Sequence, residues 1–170
     1  MSAPNRTASF DERLRRAHVA LRAGQAASAE GALRALAAER PGDANCLWLL
    51  GAALLDQNKA AAALETLECA LAAAPEFAEA RVDLARAHRA AGNAEGAREE
   101  VRRVLQREPH HHRAWLAYGD ALVDLGQFTD AATAFERSRL TDPHRPRIEE
   151  ATAALTAGER RKSEASVIHV

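Results

Sequence analysis

The sequence is poor in the residues from which sheets, membrane spans and disulfide scaffolds are built. Aromatic residues make up 4% of its 170 positions, and isoleucine occurs only at Ile148 and Ile168. Strands draw on β-branched and aromatic side chains, so a sheet architecture is disfavoured. Two cysteines, Cys46 and Cys69, cannot form a disulfide framework and suit a reducing compartment. No apolar run approaches the roughly 20 residues that a membrane-spanning helix needs. The opening segment Met1–Arg6 has no apolar stretch behind it, so no secretory signal is expected. An excess of one charge is missing too. Lys plus Arg is 23 and Asp plus Glu is 24, a formal net charge of −1, which argues against a dedicated nucleic-acid binder. A cytoplasmic protein with no membrane and no nucleic-acid partner is the expectation.

Signatures of catalysis are absent as well. The chain has no G-x-x-x-x-G-K, G-x-G-x-x-G, H-E-x-x-H, G-x-S-x-G or C-x-x-C motif. There is thus no phosphate cradle, metal motif or nucleophile elbow, and no catalytic, cofactor-binding or metal-binding residue is assigned. The cluster His110-His111-His112, with His144 one period later, follows a helix-ending proline. Surface histidines in a turn are expected there rather than a metal site. Cys46 and Cys69 read as free, helix-packed thiols, and His88 as a partly buried core histidine.

What the chain does have is alanine, about a quarter of its residues, and alanine is the best helix former. It also has a strict period. Pro41, Pro75, Pro109 and Pro143 stand 34 residues apart, as do Ala29, Ala63, Ala97 and Ala131. Ala17, Gly51, Ala85 and Gly119 keep that spacing, as do Gly24, Asn58, Gly92 and Gly126, and also Leu33, Leu67, Val101 and Phe135. Each unit reads as two helices: Leu47, Leu50 and Leu54 recur at helical spacing, Asn58 interrupts, and Leu64, Leu67 and Leu71 resume. Gly or Asn at the turn supplies a left-handed residue that ends the first helix. Proline closes the second, having no amide hydrogen to donate. Ser9 with Glu12 predicts a capping box at the first helix. Arg98, Arg102, Arg103 and Arg107 are interspersed with Glu95, Glu99, Glu100 and Glu108, which reads as a solvated face with intrahelical pairs.

These residues resemble the tetratricopeptide repeat, W-x2-L-G-x2-Y, then A-x3-F, then P. The fourth unit matches best, with Trp115, Tyr118, Gly119, Leu122, Ala131, Phe135 and Pro143. The first is the most degenerate, carrying Arg13 and Arg16 where large apolar residues belong. The resemblance implies an all-α fold, a right-handed superhelix of antiparallel helix pairs. A flexible tail (1–8) precedes four repeats (10–43, 44–77, 78–111, 112–145), and a partial fifth repeat or capping helix follows (146–170). Because residues 147–170 stop inside a second helix and end in an apolar run, two readings stand: one part of a longer polypeptide, or a terminus that frays or pairs weakly with a second copy.

The resemblance also implies a concave groove lined by first helices, holding another protein or peptide. Its expected residues are Leu14, His18, Arg22, Trp48, Val82, Arg86, Arg89, Leu116, Asp120 and Asp124. The lysine and asparagine clamp of chaperone-binding members is not present. What remains is an apolar floor with a positive patch (Arg86, Arg89) beside a negative one (Asp120, Asp124), suited to an amphipathic segment. Trp48 is either its anchor or a packing residue. The functional expectation is a non-catalytic interaction scaffold, monomeric or weakly dimeric. The alternative is a repeat region attached to a sulfotransferase-like catalytic domain of a larger bacterial protein, whose phosphosulfate-binding loop is not among these residues.

Overall fold

The computed structural model describes residues 8–141. The flexible tail, Pro143, His144 and the partial fifth repeat expected from the sequence therefore lie outside the described residues. Among those described, every regular element is an α-helix: α1 (Phe10–Arg22), α2 (Ala26–Glu39), α3 (Ala44–Asp56), α4 (Ala60–Ala73), α5 (Ala78–Ala90), α6 (Ala94–Arg107), α7 (His112–Asp124) and α8 (Phe128–Thr141). First helices begin at residues 10, 44, 78 and 112, and second helices at 26, 60, 94 and 128. The 34-residue period is therefore kept in the backbone itself.

The turns explain that fidelity. Gly24, Asn58, Gly92 and Gly126 all have positive φ, from 59° to 79°, the left-handed conformation that glycine and asparagine adopt at least cost. Around Gly24 the amide of Gln25 donates to Ala20 O and that of Gly24 to Leu21 O. The same pair of bonds recurs around Asn58 and Gly126, so each of these first helices ends in a Schellman motif that satisfies its last carbonyls. Second helices end differently. Arg40, Ala74 and Glu108, each just before a proline, leave the helical region for φ of −124° to −139° and ψ of 75° to 84°, because the proline ring disfavours helical backbone in its predecessor. The amide three residues on, at Asp43, Phe77 and His111, then donates back to close the turn.

Closing residues also cap the next helix. Ser9 accepts from the Glu12 amide, Asp43 Oδ1 from the Cys46 amide at 2.8 Å, and His111 Nδ1 from the Ala114 amide at 3.2 Å. The Ser9 cap was expected. The His111 cap corrects the reading of His110-His111-His112 as a solvent-directed cluster: His110 is exposed, but His111 is half-buried and serves its helix. On α6 the expected intrahelical pairs are formed, among them Arg98–Glu95 and Arg103–Glu100, both at 2.8 Å.

The described chain falls into two compact units, one carrying α1–α5 and the other α6–α8. In the first, α1 packs on α2, α2 on α3, α3 on α4 and α4 on α5. Its core is built from Leu33, Leu36, Leu50, Leu54 and Leu67, with small Ala29, Ala53, Ala63 and Ala70 between them. In the second, α7 packs on both α6 and α8. Leu122, Ala131, Ala134 and Phe135 form the α7–α8 core, flanked by Trp115, Tyr118 and Phe128.

Close approach within a pair rests on the small-residue register. A Cβ added to Gly51 would collide with Leu67, and one added to Gly119 with the Phe135 ring. The Trp115 register also has a backbone role. Trp115 Nε1 donates to Pro109 O at 2.7 Å, and one period earlier Arg81 Nη2 donates to Pro75 O at 2.6 Å. An arginine thus stands in for the tryptophan N–H in the looser third unit. Ser138, buried, donates to His112 O at 3.0 Å and ties α8 to the start of α7.

Two polar features of the first unit depart from the apolar pattern. Glu30 is buried and accepts from Arg34, from Lys59 at 2.7 Å and from Gln57 at 2.8 Å, joining α2 to the turn after α3. These donors, Lys59 first, hold its carboxyl down at about 2. Cys46 is buried with Sγ 3.5 Å from Leu33 O, and burial pushes its thiol up to about 11. Cys69 corrects the expectation of two packed thiols, because it is exposed on α4.

Three outcomes follow from this packing. Gly119→Ala should lower unfolding stability by about 1–2 kcal/mol in urea titrations followed by circular dichroism, because overpacking against Phe135 outweighs the helix preference of alanine; a stabilised variant would contradict the close contact. For Glu30 the folded carboxyl lies below its ordinary 4.5, so the unfolded chain binds the proton first. Its contribution is complete above pH 4.5 and disappears as pH falls towards 2. Glu30→Gln should therefore be less stable than wild type at about pH 6, with the gap in urea midpoint narrowing at about pH 3. Finally, a neutral maleimide should label one thiol per native chain, at Cys69, and two after denaturation.

Candidate functional site

The registers expected to face a partner come from α1, α3 and α5 in the first unit and from α7 in the second. In the first unit they converge on one side chain. Trp48, half-buried on α3, meets His18 of α1 edge-on at 6.0 Å between ring centroids, and Phe77 ahead of α5 at 5.2 Å. Its indole N–H donates to Asp83 Oδ2 of α5 at 2.7 Å. Asp83 is 1% exposed, and its other oxygen accepts from Arg86 Nη1 at 2.9 Å. Arg86, half-exposed, also comes within 4.0 Å of Asp56 at the end of α3. Three helices are thereby tied together by an aromatic cluster over a buried carboxylate.

Asp83 was not among the expected site residues, although the period marks it. Leu49 one unit earlier and Ala117 one unit later occupy its register and are both buried. A carboxylate buried at a register that is apolar in the two neighbouring units must have partners, since an unpaired buried charge is costly. Here the indole N–H and the guanidinium fill that need. Trp48 is therefore both a packing residue and a partly exposed ring, so the two readings of it are not exclusive.

The remaining expected residues are placed as follows. Leu14 is half-buried against the first core. Arg22 is exposed in the last turn of α1, and Arg89 is half-buried in the last turn of α5. Val82 corrects the expectation: at 1% exposed it presents almost no surface to a ligand. The small β-branched side chain at the Trp48 register is enclosed where the larger indole is not. Arg86 is likewise not a free positive charge, being engaged by Asp83. In the second unit Leu116 packs against the α7–α8 core, Asp120 is half-buried and Asp124 is exposed at the end of α7.

No cluster of three potential metal ligands occurs among the described residues, and none of their helices is long and apolar enough to cross a membrane. The arrangement places partly exposed aromatic surface beside polar groups held in fixed orientation.

Comparison with known proteins agrees with the repeat architecture. The tetratricopeptide-repeat family matches residues 14–76 through one profile, and 54–105 and 88–155 through another. No curated protein sequence matches the chain significantly. Among solved structures, it is similar to a thermophilic TPR protein of Thermus thermophilus, with TM-score 0.82, 21% identity, and 92% and 86% of the respective chains covered. It is also similar to PilF of Pseudomonas aeruginosa, with TM-score 0.76, 19% identity, and 89% and 69% covered. The Sgt2 TPR domain from Aspergillus fumigatus superposes with TM-score 0.64 at 22% identity, over 72% and 81% of the two chains. Matched over most of its length by repeat profiles and in fold by these structures, the chain belongs to the tetratricopeptide-repeat family.

Proposed function

We propose that the chain is a non-catalytic protein-interaction scaffold that holds a peptide or helix of a partner against the face carrying His18, Trp48 and Arg86. Family membership supports the general reading, and the observation that carries the specific one is the Trp48–Asp83–Arg86 arrangement. A large ring held by a hydrogen bond and two edge contacts loses little freedom when a partner covers it, which is how aromatic anchors contribute most to binding. Arg86 beside it is oriented by a buried acceptor and keeps further N–H donors for a partner carboxylate or carbonyl. Arg22 and Arg89, in the last turns of α1 and α5, are proposed as further contacts. The partner this chemistry suits is an amphipathic segment with an apolar anchor and at least one acidic residue. On the second unit, taken by itself, Leu116, Asp120 and Asp124 of α7 are proposed as partner contacts, and a cytoplasmic setting is proposed from the sequence composition.

Affinity capture with the full chain as bait tests this reading. Proteins retained by wild type and lost together from Trp48→Ala and from Arg86→Glu/Arg89→Glu are the expected partners, with affinity falling roughly tenfold or more in each variant. Circular dichroism separates recognition from folding. Should Trp48→Ala unfold, Trp48→Phe keeps most of the ring while losing the indole donor. Retention unchanged in the folded variants would overturn the assignment of this face.

A further inference from the structure

Each first helix is entered at one register, held by Ser9, Asp43, Phe77 and His111. Ser9 and Asp43 cap α1 and α3 with side-chain oxygens, Phe77 makes no side-chain cap, and His111 caps α7 through Nδ1. Of these four side-chain types, imidazole alone ordinarily changes charge between about pH 5 and 8. The bond from the Ala114 amide to Nδ1 is 3.2 Å long. It requires a neutral ring whose proton sits on Nε2, because a protonated imidazole carries N–H at both nitrogens and accepts nothing. Ala114 is fully buried, so water does not readily take the place of that acceptor. The same amide also reaches His111 O at 3.1 Å, a bond indifferent to the charge of the ring.

The charges around the cap act in the same direction. The positive end of the α7 dipole disfavours a cation there. The charged and titratable groups on the described elements packed around this end are Arg107 of α6, Glu108 and His110 of the turn, His112 and Arg113 of α7, and Glu136, Arg137 and Arg139 of α8. Arg137 lies over the Trp115 ring, and Glu136 is paired with Arg139. Arginines outnumber carboxylates among them. Proton uptake by His111 is thus opposed in the folded chain and unopposed in the unfolded one. The contribution of the cap is complete while the ring is neutral and is lost as pH falls through the range where histidine titrates. More than one turn depends on it. Ser138 of α8 donates to His112 O, and Trp115 Nε1 donates to Pro109 O, so α8 and the preceding turn are both tied to the first four residues of α7. We propose that His111 is an acid-sensitive clip: proton uptake releases the first turn of α7, while α1 and α3 keep their caps. The device lies within the second unit and does not rest on the scaffold reading.

Amide hydrogen exchange of the full chain, followed by NMR and expressed as protection factors at about pH 7.5 and about pH 5.5, tests it. Protection of Ala114 should fall roughly three- to tenfold in acid. Cys46, whose amide is capped by Asp43, is the internal reference and should not respond, since carboxylates ordinarily stay ionised over that range. His111→Asn supplies a cap that does not titrate and should hold Ala114 protection at both pH values. His111→Ala supplies none and should give the low, acid-like protection at both. Circular dichroism checks that both variants are folded. His110→Asn and His112→Asn should keep the wild-type response. Wild-type protection that does not change with pH would overturn the proposal, as it would if Glu108 held the charged ring in place. So would wild-type protection no higher than that of His111→Ala at about pH 7.5, or a response that survives in His111→Asn.

Discussion

A residue no larger than alanine at the point where the two helices of a pair cross is the constraint on which the rest of this fold depends. Gly51 lies under Leu67, and Gly119 under Phe135. The backbones come close enough for a single bulky residue to fill the crossing, and dispersion over that contact replaces the larger apolar surface an ordinary bundle would use. Alanine-rich helices have little apolar area each. They become stable only because the small residues let every side chain of medium size reach several neighbours, and because each pair covers part of the next. The shortage of aromatics and isoleucine is thus a condition of the packing as much as a feature of composition.

The polar groups of the first unit are organised around the same geometry. Glu30 and Asp83 are buried carboxylates at registers held by Leu64 and Leu49 one repeat away. Each is enclosed only because donors from neighbouring elements converge on it: Lys59, Gln57 and Arg34 on Glu30, and Trp48 and Arg86 on Asp83. A buried carboxylate with such partners fixes relative helix position more narrowly than apolar contact does, since the bonds are directional. The face proposed for recognition is consequently held from beneath. Asp83, which orients Trp48 and Arg86, is itself almost fully enclosed.

Degeneracy in a repeat is informative for the same reason. Arg81 departs from the consensus tryptophan yet repeats the N–H bond that Trp115 makes to the carbonyl of a preceding proline, so what is kept is the backbone interaction and what is lost is the ring. Arg13 and Arg16, at registers of buried or partly buried leucine, keep neither. They leave open space between α1 and α2, bordered by guanidinium groups. Two departures from one pattern, at equivalent or neighbouring registers, therefore have opposite consequences: one repairs the fold and the other opens a cavity.

Much of the architecture is legible from spacing alone. The helix pairs, the left-handed residues at Gly24, Asn58, Gly92 and Gly126, the proline stops and the Ser9 cap all follow from local chemistry, because turn conformation and capping depend on residues within a few positions. The placement of the residues expected at the candidate site was legible in part. His18, Trp48 and Arg86 lie together as their register implied, whereas the enclosure of Val82, the exposure of Cys69 and the buried acceptor Asp83 were not foreseen. Each of these depends on what stands across a helix interface, 35 residues away in sequence for Trp48 and Asp83, and no local rule fixes which of two equivalent positions is covered. The capping role of His111 is local, but a histidine at a cap is an uncommon choice and its ring gives no distinctive pattern. The period determined where helices begin and end; the fitting of unequal side chains into equivalent places decided which groups are buried, paired or left facing solvent.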